Sequence, residues 1–98
     1  MYLKIHDTPK GRIVAACDEE LIGRVLEDKN AYLDLDRYRG FYVGAKAGDN
    51  ELRQALSTFS SANLVGKEAV DVAVSMRLVS KGDVMYINKI PYIQIYKI

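Results

Sequence analysis

The chain opens on a two-residue alternation of apolar and polar positions. Tyr2 to Asp7 and Arg12 to Ala16 flank Thr8-Pro9-Lys10-Gly11. A Pro and a Gly within four residues is turn chemistry, so this stretch reads as a β-hairpin. Pairing across the turn sets Asp7 against Arg12, His6 against Ile13, Ile5 against Val14, Leu3 against Ala16 and Tyr2 against Cys17. The opposite charges of Asp7 and Arg12 favour that register. Leu3, Ile5, Val14 and Ala16 then share the core face.

Beyond Cys17 the period lengthens. Asp18 is a good N-cap, and Glu19 and Glu20 suit the first turn of a helix. Leu21, Ile22, Val25 and Leu26 are spaced as a helical stripe, which predicts a helix from about Glu19 to Asp28. Lys29-Asn30 ends it. Ala31 to Asp36 is read as a strand, Arg37 to Gly40 as a turn, and Phe41 to Ala45 as a second strand. Gly48-Asp49-Asn50 starts a helix whose Leu52, Ala55, Leu56 and Phe59 give the clearest helical spacing in the chain. After Ser60-Ser61-Ala62, Asn63 is read as the cap of a third helix carrying Val65, Ala69, Val72, Ala73 and Met76 on one side.

Gly82-Asp83 turns the chain into a last hairpin. Val84 to Ile87 and Ile90 to Tyr96 are joined by Asn88-Lys89, a two-residue loop in which Lys89 stands where Gly is favoured. Pro91 suits an edge or a strand start. Met85, Ile87, Ile90 and Tyr92 fall on one side, and Val84, Tyr86, Ile93 and Ile95 on the other. A strand pair buried on one side only would alternate with polar residues. Either other elements cover both faces, or one face meets a partner. The predicted order is ββα, ββ, αα, ββ: a single α+β domain over residues 1–98 with a mainly antiparallel sheet. No strand is followed by the Gly-rich phosphate turn of a Rossmann unit.

Composition narrows the classes. The chain is 49% hydrophobic and 28% charged over 98 residues, which fits one globular domain rather than disorder. Such a length buries roughly two-thirds of the unfolded surface. Fourteen basic against 13 acidic residues leave a net charge of +1, so attraction to nucleic acid or anionic lipid needs a local patch. One cysteine cannot staple the fold. No apolar run reaches the ~18 residues of a membrane span, and Lys4, His6 and Asp7 interrupt any leader-like start. A cytoplasmic protein with no membrane partner is expected.

Several short segments together resemble an archaeal family known only as a domain of unknown function, number 424. They are Met1-Tyr2-Leu3-Lys4, Cys17-Asp18-Glu19-Glu20-Leu21-Ile22-Gly23, Phe41-Tyr42-Val43-Gly44, Asn63-Leu64-Val65-Gly66 and Ile90-Pro91-Tyr92. They span nearly the whole chain. The resemblance implies an archaeal cytoplasmic protein and carries over no activity, cofactor or site residue. A role near RNA or translation is suggested only by association with small archaeal proteins of this kind.

The residues themselves offer few catalytic candidates. Cys17 and His6 lie at opposite ends of the first hairpin, four residues apart along the ladder, beyond hydrogen-bond reach. The acids beside Cys17 raise its pKa, so it reads as a small apolar core residue. His6, Asp7, Asp18, Glu19 and Glu20 lack zinc or calcium spacing, and no metal or cofactor is expected. Gly66 in a first helical turn, with Asn63 before it and Lys67 after it, suits either an anion site or a close packing contact. The spacing is not that of a Walker loop. Arg37-Tyr38-Arg39-Gly40-Phe41-Tyr42 interleaves cations with aromatics, a pattern that can hold phosphates and stack bases, or simply form a turn and a core strand. Two functions follow as expectations. One is a non-enzymatic module binding RNA or a ribonucleoprotein through Arg37, Arg39, Tyr42, Asn63, Gly66 and Lys67. The other is a protein-interaction or homo-oligomer module using Tyr86, Tyr92, Ile95 and Tyr96. A small enzyme ranks third, since no triad, phosphate loop or paired carboxylates stand out.

Overall fold

The computed structural model describes residues 1–97. Among these residues, eight strands and three helices make an α+β domain. The strands are β1 (Tyr2–Thr8), β2 (Gly11–Cys17), β3 (Val25–Glu27), β4 (Tyr32–Asp34), β5 (Ala45–Lys46), β6 (Ser61–Val65), β7 (Met85–Ile87) and β8 (Ile90–Tyr96). The helices are α1 (Arg39–Tyr42), α2 (Asp49–Ala55) and α3 (Lys67–Ser75). Six strands form one sheet in the order β5-β1-β2-β6-β8-β7; β3 and β4 pair by themselves. Every pairing is antiparallel except β2 with β6.

The first hairpin has the register the turn chemistry implies, from Tyr2 opposite Cys17 to Thr8 opposite Gly11. Arg12 Nε donates to Asp7 Oδ1 at 2.9 Å across the pair. On one side of the sheet Val14, Ala16, Ala62, Leu64 and Ile93 pack against Leu52 of α2, Leu56 at its C-terminal end, and Ala69, Val72 and Ala73 of α3. On the other side Ala15, Cys17, Val65 and Ile87 meet Leu21, Leu26, Leu35 and Tyr42. The β7–β8 hairpin therefore meets a core on each side, through Ile87, Ile90 and Tyr92 on one and through Ile93 and Ile95 on the other. Truncating a fully buried leucine such as Leu64 to Ala costs about 2–5 kcal/mol by transfer and cavity terms.

Four local expectations are corrected. The helix over 19–28 is a single 3-10 turn, Glu19–Leu21, followed by β3. Gly23, at φ +92°, turns the chain where a helix would continue. The strand over 41–45 is replaced by α1, with only Ala45–Lys46 extended. Asp34 Oδ1 accepts from the N–H groups of Asp36 and Arg37, at 3.1 and 2.7 Å, and this turn starts the coil that becomes α1. Asn63 caps no helix: it sits in the middle of β6, and α3 begins at Lys67. Phe59, expected on α2, is buried just past that helix's end.

Candidate functional site

The start of α3 has no cap from its own neighbours. Asp18, which follows β2, supplies it: its carboxylate oxygens accept from Glu68 N–H and Ala69 N–H, both at 2.9 Å. The carboxylate is buried, and burial raises its pKa, with the two N–H donors opposing that rise. Gly66, at φ +104°, lies so close that a Cβ would fall 2.3 Å from Asp18 Cγ. Its glycine is thus required by both conformation and space, and its own N–H donates to Pro91 O at 2.8 Å. The donors that an external anion would use are already taken by Asp18.

Cys17 is fully buried, and its thiol is pushed up to about 12, first by burial and then by the charges of Asp18 and Glu20. His6 packs flat on Phe41, with ring centroids 4.7 Å apart, and its Nε2–H donates to Phe41 O at 2.9 Å. The two are separated along the hairpin as the register requires. Among the described residues no three His, Cys, Asp or Glu side chains gather at metal-binding range.

The remaining candidates divide into three places. At α1, Arg39 Nη2 pairs with Asp36 Oδ1 at 2.7 Å, while the Arg37 guanidinium lies 5.6 Å from the Tyr38 ring centre. Tyr42 is buried from the same helix into the second core, so it stands apart from these arginines' solvent face.

Lys67 belongs elsewhere. Together with Lys81, Lys89 and Tyr86 it rims a groove of about 340 Å³ between α3 and the β7–β8 hairpin. Val70, Val74 and Val84 supply apolar wall, and Asp71 is the acid among the lining residues. Tyr86 is 60% exposed. Lys89 holds φ +65° in the turn after Asn88 at φ +50°, a left-handed conformation that costs a non-glycine residue about 1 kcal/mol. Neither Lys81 nor Lys89 is among the candidate site residues that the sequence suggests. The signal available was Lys89 itself, a lysine in the turn position where glycine is favoured.

On the opposite face of the sheet, Tyr42, Asn63 and Tyr92 come together with Tyr32 and Gln94 around a groove of about 220 Å³. Burial pushes the Tyr42 phenol up to about 12, so it stays protonated at neutral pH. Tyr96 is 69% exposed on the same side as Tyr92, whereas Ile95 points to the helix side and is half-buried in the first core.

Comparisons with known proteins add kinship without chemistry. The family model described as a protein of unknown function, DUF424, matches residues 6–98. A crystal structure of an uncharacterized conserved protein from Methanopyrus kandleri is similar to this chain at 26% identity and a TM-score of 0.76. The match covers 97% of this chain and 89% of that one. No curated protein matches the chain. No helix among the described residues is long and apolar enough to cross a membrane.

Proposed function

The chain belongs to the DUF424 family, and from that premise we propose that it is a non-enzymatic binding module for single-stranded RNA. The supporting observation is the lysine groove. Three cations and one acid line it in a chain whose net charge is only +1, so the basic character is local. Phosphates need cations, and a base needs a ring to stack on; Tyr86 offers one over an apolar wall. Lys89 keeps a strained turn position that glycine would fill at lower cost, and local rules of this kind are broken most often at functional sites. A cytoplasmic location in an archaeal cell goes with the same proposal, in keeping with a lone unpaired thiol and the Methanopyrus relative.

The test compares two sets of substitutions on a uridine-rich oligonucleotide. Lys67→Ala, Lys81→Ala and Lys89→Ala combined are expected to weaken binding at least tenfold. Arg37→Ala with Arg39→Ala is expected to leave it within about threefold, since Arg39 is engaged by Asp36. The reverse pattern would move the RNA site to α1, and binding unaffected by either set would end the proposal.

A second reading rests on a different observation. Met85 and Tyr96 are large and exposed on one face of the last hairpin, with Tyr86 exposed on the other, and β8 runs on past the three residues that β7 pairs. Such an uncovered edge can recruit another chain. Tyr96→Asp is the substitution to use; Ile95 supports the core and would report on folding instead. A wild type that stays monomeric at high concentration removes this reading.

A further inference from the structure

The groove on the sheet face away from the helices has a chemistry of its own. Asn63 of β6 stands opposite Gln94 of β8 in the ladder. Gln94 Nε2–H donates to Asn63 Oδ1 at 2.7 Å. That bond uses one donor and one acceptor. The Asn63 Nδ2 donors and the Gln94 Oε1 acceptor are left, and exchanging N and O in both amides would still leave at least one of each. Two primary amides side by side thus present a mixed donor and acceptor edge to the groove. Around that edge stand the rings of Tyr32, Tyr42 and Tyr92. Tyr32 is 61% exposed and its hydroxyl donates to Asp34 Oδ2 at 3.3 Å, whereas Tyr42 is buried.

We infer that this amide pair and its tyrosines form a nucleobase-binding pocket, with the base edge read by Asn63 and Gln94 and the ring faced by Tyr92 and Tyr32. Every nucleobase carries adjacent donors and acceptors on its edge and a π face, which is what the pocket supplies. At about 220 Å³ the groove is below the ~300–1,000 Å³ of drug-sized sites and suits one ring system. The described lining includes no lysine or arginine, so the pocket selects a base rather than a phosphate. It lies across the sheet from the lysine groove and does not depend on that groove binding RNA.

Uncharged nucleosides separate the two sites, because they carry no phosphate for the lysines. Uridine, cytidine, adenosine and guanosine are titrated into isotope-labelled protein, and the side-chain amide signals of Asn63 and Gln94 are followed. At least one nucleoside is expected to shift both signals saturably. Gln94→Ala, at an exposed position, should keep the folded spectrum and weaken that binding at least tenfold; Tyr32→Ala should weaken it less. The inference is overturned if no nucleoside shifts either signal up to its solubility limit. It is equally overturned if Gln94→Ala binds as well as wild type, or if N-acetylglycine amide shifts the same signals as strongly, which would make the pair a reader of peptide groups.

Discussion

Asp18 reaches its helix from 50 positions away in the chain, and this single carboxylate explains two residues that local rules leave unexplained. It gives α3 its cap, and it makes Gly66 obligatory. Asp18→Ala is expected to lower stability by about 1–2 kcal/mol, the usual cost of losing a cap, measured by denaturant unfolding. Gly66→Ala should cost at least as much in wild type, through the Asp18 clash and the positive φ together. In the Asp18→Ala background the same substitution should cost less, because the contacts with Asp18 Cγ and Oδ2 go while the one with its Cβ, 2.6 Å away, stays. Strict additivity would mean that the two residues do not meet. Cys17 and Tyr42 give a prediction in pH. Both groups are held up to about 12 when folded, against ordinary values of 9.0 and 10.0. The unfolded chain therefore loses these protons first, and the folded state is the one that binds more of them between pH 9 and 12. Their contribution to stability is complete below pH 9 and disappears as pH rises toward 12. Cys17→Ala should make the alkaline unfolding profile shallower; an unchanged profile would show that the thiol is not the group responsible.

At the scale of elements, the hairpins were readable because their determinants are local. A Pro-Gly turn and the Asp7–Arg12 pair specify the first, and the two-residue Asn88-Lys89 loop specifies the last. The helix α2 shows in Leu52, Ala55 and Leu56, though it stops short of Phe59. The stretch from Glu19 to Asp28 misleads because four apolar residues at helical spacing also serve a 3-10 turn and a short strand. Gly23 was the warning in that stretch. Asn63 misleads for a different reason. It has the side chain of a cap, but β6 lies between β2 and β8, and the ladder claims it. The true cap is distant in sequence, and periodicity carries no record of it. The same holds for the candidate sites: Lys67 and Tyr86 were visible singly, but only the packing of α3 on the hairpin joins them to Lys81 and Lys89. The Asn88-Lys89 turn supplies a prediction of its own. Lys89→Gly should raise stability by about 1 kcal/mol, by relieving a left-handed lysine, while weakening RNA binding. A variant that gains stability with no loss of binding would remove Lys89 from the site.

For the whole molecule, the sheet separates two surfaces of different character. The edge between α3 and the β7–β8 hairpin carries the lysine groove; the opposite face carries amides and tyrosines. The total charge hides this division, since 14 basic and 13 acidic residues nearly cancel. A small binding module needs no more than such a local excess, provided the acids are placed elsewhere. Several are: Asp7 and Asp36 are paired with arginines, Glu19 with Lys46. The most direct measurement is the salt dependence of binding to a single-stranded uridine-rich RNA, for wild type and for the Lys67→Ala, Lys81→Ala, Lys89→Ala variant. Three lysines meeting phosphates predict that the slope of log K against log salt is about 2 steeper in wild type, at about 0.7 per contact on a single strand. Equal slopes in the two proteins, or wild-type binding that does not change with salt, would contradict the account.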